Sequence, residues 1–317
     1  MSSLKRSSVS LFAVLFVLCF AISALAQVDV PRPSQKASVM QRIGVTDVTI
    51  TYSRPGVKGR KIWGDPLPGQ SEVKGEATLD DQNVRPKGAP IVPWGHAWRT
   101  GANEATQFVV TDDVWINGQK LPAGSYSLHT IPTKDEFTII FNSVANQWGS
   151  FGYDASKDTL RVKVKPEWSE HNKEWLEYWI DPVSDTSAQV NIRWEKVRVP
   201  FTVEVKDVQR MTMQKARAAV AAAKPDDFVT PLQAANFALQ NKLSVEEAMG
   251  WLEHSIKVKE TIGNVGLKAR VLAEQGKTTE AIAAGERAIQ VGKDAKANPT
   301  AIANMEKLVA EWKAKKA

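Results

Sequence analysis

The chain has 317 residues, with 41 lysines and arginines against 35 aspartates and glutamates, for a net charge of +6. This length suits two domains better than one. Residues 27–206 carry as many acids as bases, and the surplus of four positive charges in 207–317 is spread over more than a hundred residues. Nucleic-acid binding requires a clustered basic face, so we expect no nucleic-acid partner.

Residues 1–26 have the pattern of a secretory signal peptide. A short basic start is followed by an apolar run over 9–22, too short to cross a bilayer, and by the small residues Ala24 and Ala26. The sequence therefore predicts cleavage after Ala26 and a periplasmic or secreted protein with no transmembrane segment. Cys19 is the only cysteine and belongs to this segment, so we expect no disulfide in the mature chain.

Residues 27–206 are predicted to form an antiparallel β-sandwich, or a flattened barrel, of eight or nine strands. Their apolar residues alternate with polar ones, as in sheets with one packed face, and they include nine of the eleven tryptophans. The dipeptide Asn117-Gly118 follows an apolar run and predicts a two-residue hairpin turn, because both residues tolerate positive φ angles. The clearest alternating segments are 48–52, 137–141, 160–164, 188–194 and 197–205.

Residues 207–317 are predicted to form a helical domain, since the apolar period there approaches 3.6. Segments 247–256 and 280–289 match at an offset of 33 residues, a spacing that resembles tetratricopeptide repeats, whose small residues let paired helices approach closely. The usual aromatic positions mostly hold Ala, Gly or Leu, so an unrelated helical bundle is the alternative. Candidate helix starts are Asp207, Thr230-Pro231, a capping box at Ser244 and Glu247, and Asn298-Pro299.

Two segments combine charged residues, glycine and tryptophan most densely. Residues 54–64 read Arg-Pro-Gly-Val-Lys-Gly-Arg-Lys-Ile-Trp-Gly, and residues 98–106 read Trp-Arg-Thr-Gly-Ala-Asn-Glu-Ala-Thr. Together they resemble the signature of the DUF2911 family of secreted bacterial domains, whose members carry R-P-x-x-K-G-R-x-I-W/F-G and V-P-Y/W-G-x-x-W-R-T-G-A-N-E-A-T runs. The resemblance implies a family of unknown function and does not indicate which activity, if any, its members have.

The second motif contains the main candidate site. In one interpretation, Arg99 pairs with Glu104 only to satisfy two half-buried charges across a tight turn. In the other, Arg99 offers a planar donor fork to a carboxylate, phosphate or sugar, Asn103 and Glu104 complete a polar pocket, and Trp94 and Trp98 form an apolar wall. The sequence leaves both interpretations open.

The first motif adds cations on a loop. This loop is either a solvated turn or it faces the second motif, so that Arg54, Lys58 and Arg60 share an anion-binding surface with Arg99. A Gly/Pro/Asp-rich insertion over 65–90 separates the motifs and is predicted to be a long surface loop.

Residues 146–154 also resemble the family pattern. This aromatic-rich loop either closes the sandwich or presents Trp148 as a stacking platform for a planar ligand. The four histidines have no metal-binding spacing, and no nucleotide or serine-hydrolase motif is present, so we expect no metal and no cofactor. The candidate ligand-binding residues are Arg54, Lys58, Arg60, Trp98, Arg99, Asn103, Glu104 and Trp148.

Three functional hypotheses follow. The first is a non-enzymatic secreted module that binds a small anionic or saccharide ligand, with the helical repeat binding a protein partner. The second is a hydrolase of envelope saccharide or peptide, in which Glu104, with Asp154 or Asp158, acts as acid/base and Arg99 positions the substrate. The third is a purely structural envelope protein. Fold alone does not choose among them.

Overall fold

The structure is a computed structural model that describes residues 30–68 and 86–316. The predicted signal peptide and residues 69–85 of the predicted 65–90 loop lie outside the described residues. Within the described part, no helix is both long and apolar enough to cross a membrane. In chain order the strands are β1 (Gln35–Ile43), β2 (Thr46–Arg54), β3 (Trp63–Gly64), β4 (Val92–Pro93), β5 (Thr106–Val110), β6 (Val114–Ile116), β7 (Gln119–Leu121), β8 (Gly124–Pro132), β9 (Phe137–Asn142), β10 (Asp158–Val164), β11 (Glu167–Ser184) and β12 (Ser187–Glu204).

Two antiparallel sheets form the N-terminal part. One has the strand order β1-β2-β5-β8-β9-β10 and the other β11-β12-β6-β7, while β3 and β4 form a separate parallel pair. Phe108 and Phe141 of the first sheet meet Phe201 of the second, with ring centroids 6.3 and 6.1 Å from it. The predicted sandwich is therefore confirmed, and the sheets do not close into a barrel.

The predicted hairpin at Asn117-Gly118 is confirmed. It joins β6 to β7, with Ile116 paired to Gln119, and the turn residues have φ angles of 46° and 81°. Two positive φ angles are the requirement of the two-residue turn that matches the twist of the flanking strands.

The segments 188–194 and 197–205 are one strand, β12, and not the two that the sequence predicts. Even-numbered residues up to Trp194 face the core, and odd-numbered residues from Val197 onward do so. Glu195, with a φ of 53°, lies where the pairing with β11 changes register. The positive φ of Glu195 turns the backbone, so the alternation along β12 shifts by one while the strand stays continuous. The longer segment at this irregularity is in β11, because Trp168 and Lys173 oppose Val197 and Glu195.

Six helices follow the sandwich: α1 (Val208–Ala221), α2 (Val229–Gln240), α3 (Val245–Val258), α4 (Ile262–Glu274), α5 (Thr278–Asp294) and α6 (Pro299–Lys316). Helices next to one another in sequence pack together. The predicted helical extension is thus confirmed, whereas its likeness to tetratricopeptide repeats stays a prediction. Ala248 and Ala281, the small residues of that pattern, are both fully buried.

The predicted helix starts have mixed outcomes. Asn298 caps α6 by accepting a hydrogen bond from the backbone N of Thr300, as predicted. The capping box at Ser244 is wrong, because its side chain makes no capping hydrogen bond, and the box forms between Thr261 and Asn264. At the start of α2, the carboxylate of Asp227 accepts from two backbone N–H groups and takes the capping role expected of Thr230.

Helix α1 packs on the sandwich. Val208 and Met211 contact the sandwich core, and Lys215 Nζ donates to the Val45 carbonyl and pairs with Asp112, each at 2.6 Å. The same helix contributes Met213 to a second apolar cluster with α2 and α3. It is therefore shared between the two parts of the chain.

We predict that a fragment of residues 27–206 folds alone, because its core is closed by its own two sheets. A fragment of residues 27–222, which keeps α1, should melt a few degrees higher, since about 1 kcal/mol shifts the melting temperature of such a domain by about 2–4 °C. Circular dichroism melts of both fragments test this. A 27–206 fragment without sheet signal would mean that the helices are needed for folding.

Helix α5 packs closely on α6 at Gly285. A Cβ there would overlap Cγ2 of Val309 and lie 3.2 Å from the Trp312 ring. We predict that Gly285→Ala lowers the free energy of unfolding by about 1–3 kcal/mol through overpacking. Gly250, exposed in α3 with nothing within 4 Å of its Cβ position, is the matched control, and Gly250→Ala should stabilise by about 0.5–1 kcal/mol. Urea denaturation measures both, and effects of the same sign would contradict the close packing.

Candidate functional site

The first motif meets residues 92–95 in the short parallel ladder of β3 and β4. Residues 92–95 read Val-Pro-Trp-Gly and match the start of the family run that continues into 98–106. Trp63 pairs with Val92 and Gly64 with Pro93. The Val92 amide donates to the Ile62 carbonyl at 2.8 Å, and the Trp94 amide donates to the Gly64 carbonyl at 2.9 Å. The end of the first motif is therefore fixed beside the start of the second.

A series of tryptophan rings runs from the core to the surface at this junction. Trp194 stacks on Trp98, with centroids 5.7 Å apart, and Trp63 meets both rings edge-on at 6.0 and 5.6 Å. Trp63 also stacks on Trp94 at 5.9 Å, and Trp168 of β11 packs edge-on against Trp94. Trp98 is only 5% exposed, so it packs the core, whereas Trp168 is 48% exposed and ends the series at the solvent.

A pocket of about 410 Å³ opens at the outer end of these rings. Lys134 and Trp168 are linked across it by a hydrogen bond of 3.1 Å from the indole nitrogen to the Lys134 carbonyl. Among the described residues, neither Lys61 nor Lys134 has a carboxylate within ion-pair distance, while Lys196 has only a distant one, Glu170, at 3.8 Å. Four cationic residues line the pocket, Arg60, Lys61, Lys134 and Lys196, against the single acid Glu195, so the pocket is electropositive. Its lining residues are Arg60, Lys61, Ile62, Trp63, Gly64, Trp94, Lys134, Trp168, Glu195 and Lys196.

Arg60 is the one predicted site residue that lines this pocket. Its guanidinium also donates to the carbonyls of Gly56 and Val57, which braces the loop of the first motif. The sequence gives no direct signal for Lys134, Trp168 and Lys196, because they come from strands and turns distant in the chain.

Arg54 and Lys58 contact strand β11. Arg54 Nε donates to the Leu176 carbonyl at 2.8 Å, and its guanidinium lies 3.9 Å from Glu177. The Lys58 ammonium lies 5.7 Å from the Trp175 ring centroid. The interactions of these two cations thus fix the first motif to the second sheet.

Arg99 contacts a different segment. Its guanidinium donates to the Asn103 carbonyl at 2.6 Å and lies 5.6 Å from the Phe151 ring centroid. A Cβ on Gly149 would lie 3.1 Å from the guanidinium carbon, and the Gly149 amide also donates to the Asn103 carbonyl. Arg99 therefore connects the turn of the second motif to the 146–154 loop, and the structure does not show it sharing contacts with Arg54, Lys58 or Arg60.

The turn over 98–104 is built into the sandwich. Trp98 exchanges two backbone hydrogen bonds with Thr130 of β8, and buried Thr100 has a φ of 50°. A Cβ on Gly101 would lie 2.9 Å from Thr106 Oγ1 and 3.2 Å from the Ser53 carbonyl, so a side chain there would force a neighbouring atom to shift. Asn103 has a φ of 60°, as expected for a residue that tolerates the left-handed region.

Glu104 forms an ion pair with Arg32, whose NH1 lies 2.6 Å from its carboxylate. The same guanidinium lies 5.7 Å from the ring centroid of Trp148, which is 53% exposed. Partial burial favours a higher pKa for Glu104, but the hydrogen bond and charge of Arg32, with the charge of Lys36, outweigh it and hold the pKa below its usual value. The Glu104 carboxylate is therefore ionised and engaged.

The two other acids of the hydrolase hypothesis, Asp154 and Asp158, also form hydrogen bonds with neighbouring residues. Asp158 is almost fully buried and accepts hydrogen bonds from Arg161 at 2.7 Å and from Tyr153 at 2.8 Å. Burial, with the hydrogen bond to Asp158, raises the pKa of Tyr153. Asp154 accepts from the Ser156 amide at the start of a single helical turn. These contacts stabilise the 146–154 loop and occupy the carboxylates of both Asp154 and Asp158.

Histidines form no metal site in the described part of the chain, where no group of three metal-ligating side chains is found. His129 follows core-facing Leu128 in β8 and lies on the opposite, outer face of the sheet, yet it is fully buried. The loop after β9 covers that face, with Tyr153 centred 5.0 Å from the His129 ring and Gln147 donating to Ser127.

Comparison with known proteins supports the resemblance seen in the motifs. The family model described as a protein of unknown function (DUF2911) matches residues 34–203, more than half of the chain, and the chain belongs to this family. No curated protein and no solved structure matches it significantly.

We predict that Arg99 and Glu104 contribute to stability independently, because their contacts differ. Arg99→Ala should lower the free energy of unfolding by about 1–3 kcal/mol through loss of its charged hydrogen bond. Glu104→Ala should cost less than about 1 kcal/mol, since its ion pair is nearly half exposed. The double variant should equal the sum within about 0.5 kcal/mol in chemical denaturation.

The pKa of Glu104 is lower in the folded state than in the unfolded state. Its small contribution to the free energy of unfolding is therefore present at neutral pH and is lost as the pH falls through the folded-state pKa. A strongly non-additive double variant would instead mean that the two side chains act as a buried pair.

Proposed function

We propose that this member of the DUF2911 family is a non-enzymatic binding module whose ligand is a small anionic saccharide. The observation that carries the proposal is the pocket of about 410 Å³ where both family motifs meet. Trp94 and Trp168 offer flat apolar ring surface there, and Arg60, Lys61, Lys134 and Lys196 supply positive charge. A sugar with a carboxylate combines an apolar ring face with an anion and matches both features.

The contacts of the acids favour binding over hydrolysis. A general acid needs a pKa raised toward neutrality, whereas the pKa of Glu104 is lowered and its carboxylate is held by Arg32. Glycoside hydrolysis also needs a second carboxylate free to act, and Asp154 and Asp158 are engaged in local structure. The alternative hydrolase with Glu104 and Arg99 is therefore the weaker proposal.

Export is part of this proposal. The secretory pattern of residues 1–26 supports a ligand met in the periplasm or outside the cell. Uronate-bearing polysaccharides and their fragments carry both the sugar ring and the carboxylate that the pocket matches. A protein partner for the six helices stays a prediction that the pocket does not address.

The test is a titration with digalacturonic acid, with the neutral disaccharide cellobiose as the matched probe, measured by calorimetry and tryptophan fluorescence. We expect the wild-type protein to bind the uronate in preference to cellobiose and more weakly at high salt. Trp168→Ala and the double variant Lys134→Ala/Lys196→Ala should each weaken uronate binding about tenfold, equal to about 1.4 kcal/mol.

The control variant is Trp148→Ala, which removes another exposed indole that is not among the lining residues. It should leave uronate binding unchanged. Equal losses in Trp168→Ala and Trp148→Ala, or equal binding of the charged and neutral sugars, would contradict the assignment of this pocket.

A further inference from the structure

A second site lies at the Glu104 end of the sandwich, and a segment of the chain itself occupies it. Residues 30–34 read Val-Pro-Arg-Pro-Ser and lie just before β1. Proline fixes its own φ angle and restrains the residue before it to an extended conformation, so Arg32 is presented from a stiff, extended backbone. Short proline-rich segments of this kind are ligands of aromatic grooves in other folds, because little entropy is lost on binding.

Contacts with Glu104, Trp148 and Asn103 hold this segment. The Arg32 guanidinium meets the Glu104 carboxylate at 2.6 Å and the Trp148 ring at 5.7 Å. Two residues later, the Ser34 carbonyl accepts a hydrogen bond of 3.1 Å from the Asn103 side-chain amide. A carboxylate, an aromatic face and a backbone anchor together recognise an arginine in an extended peptide.

The receiving surface is assembled without Arg32. Glu104 and Trp148 are joined by a β-bridge, the Ala105 amide donates to the Gln147 carbonyl, and the Gly149 amide donates to the Asn103 carbonyl, both at 3.0 Å. These backbone hydrogen bonds fix the 98–104 turn against the 146–154 loop. The backbone that carries the Glu104 carboxylate and the Trp148 indole is therefore held by contacts that do not involve residues 30–34.

The groove has room for more than one arginine side chain. About 540 Å³ of open space lies along the segment, and a second pocket of about 220 Å³ continues past Glu104 between Thr51 and Asn146. Lys36 and Ser53 line both spaces with Glu104. A bound peptide can thus extend beyond the position of Arg32 across strands β1, β2 and β5 of the first sheet.

We propose that Glu104, Trp148 and Asn103 form a recognition site for an arginine flanked by prolines in a partner peptide, and that Arg32 is its resident intramolecular occupant. The tether gives Arg32 an effective concentration of the order of millimolar, so a partner competes with it. Removal of the Arg32 side chain opens the site to a peptide added in solution. This site is separate from the saccharide pocket and does not depend on its function.

The experiment uses residues 27–317 with the substitution Arg32→Ala, together with the capped peptide Val-Pro-Arg-Pro-Ser. Binding is followed by the indole N–H signal of Trp148 in nitrogen-edited proton NMR. We expect the peptide to shift this signal in Arg32→Ala and to bind the wild-type protein at least tenfold more weakly. The peptide with lysine in place of arginine should bind Arg32→Ala more weakly, because lysine lacks the planar fork.

Two further variants decide the assignment. In Arg32→Ala/Glu104→Gln, which keeps the shape of the side chain, peptide binding should fall at least tenfold. Arg42→Ala removes another exposed arginine, paired with Asp47 on the same sheet, and should behave as the wild-type protein. Thermal melts confirm that each variant is folded. No peptide binding to folded Arg32→Ala, or binding that survives Glu104→Gln, would overturn the proposal and leave Arg32 a surface ion pair only.

Discussion

The joining of the two motif segments by the β3–β4 ladder and by stacked indoles is the constraint on which the rest of the site depends. Trp63 is central, because its ring contacts Trp94 toward the surface and both Trp98 and Trp194 toward the core. Large rings that interlock in this way leave few alternative packings. The ladder therefore places the cations Arg60 and Lys61 at the pocket. It also fixes where the 98–104 turn begins, and the position of Glu104 depends on that turn.

Much of the fold is predictable from the sequence, because alternation and turn chemistry are local signals. The hairpin at Asn117-Gly118 requires only two residues with positive φ angles. The single strand β12 is not predictable in this way, because the backbone irregularity at Glu195 reverses the alternation, and that pattern resembles a break between two strands. The burial of His129 is also not predictable from the local sequence, because the loop that covers it follows β9 and is more than ten residues away in the chain.

The candidate site is less predictable, because its partners are remote in the chain. Glu104 and Arg32 are 72 residues apart, and nothing near either position indicates the ion pair. Trp98 and Arg99 are neighbours in the same motif, yet their roles differ. The Trp98 ring packs in the core, whereas the Arg99 side chain connects the 98–104 turn to the 146–154 loop. A motif shows which residues belong together, and only the tertiary packing separates those that hold the fold from those that face a ligand.

The position of Lys215 has a mechanical consequence. Its ammonium is held both by the carbonyl of Val45, in the turn after β1, and by Asp112, in the turn after β5. Two anchors on one side chain resist rotation of α1 about its own axis, and Met213 on the same helix is packed into the next apolar cluster. A rotation of the following helices relative to the sandwich must therefore break the contacts of Lys215 and Met213, or move the two turns that hold Lys215.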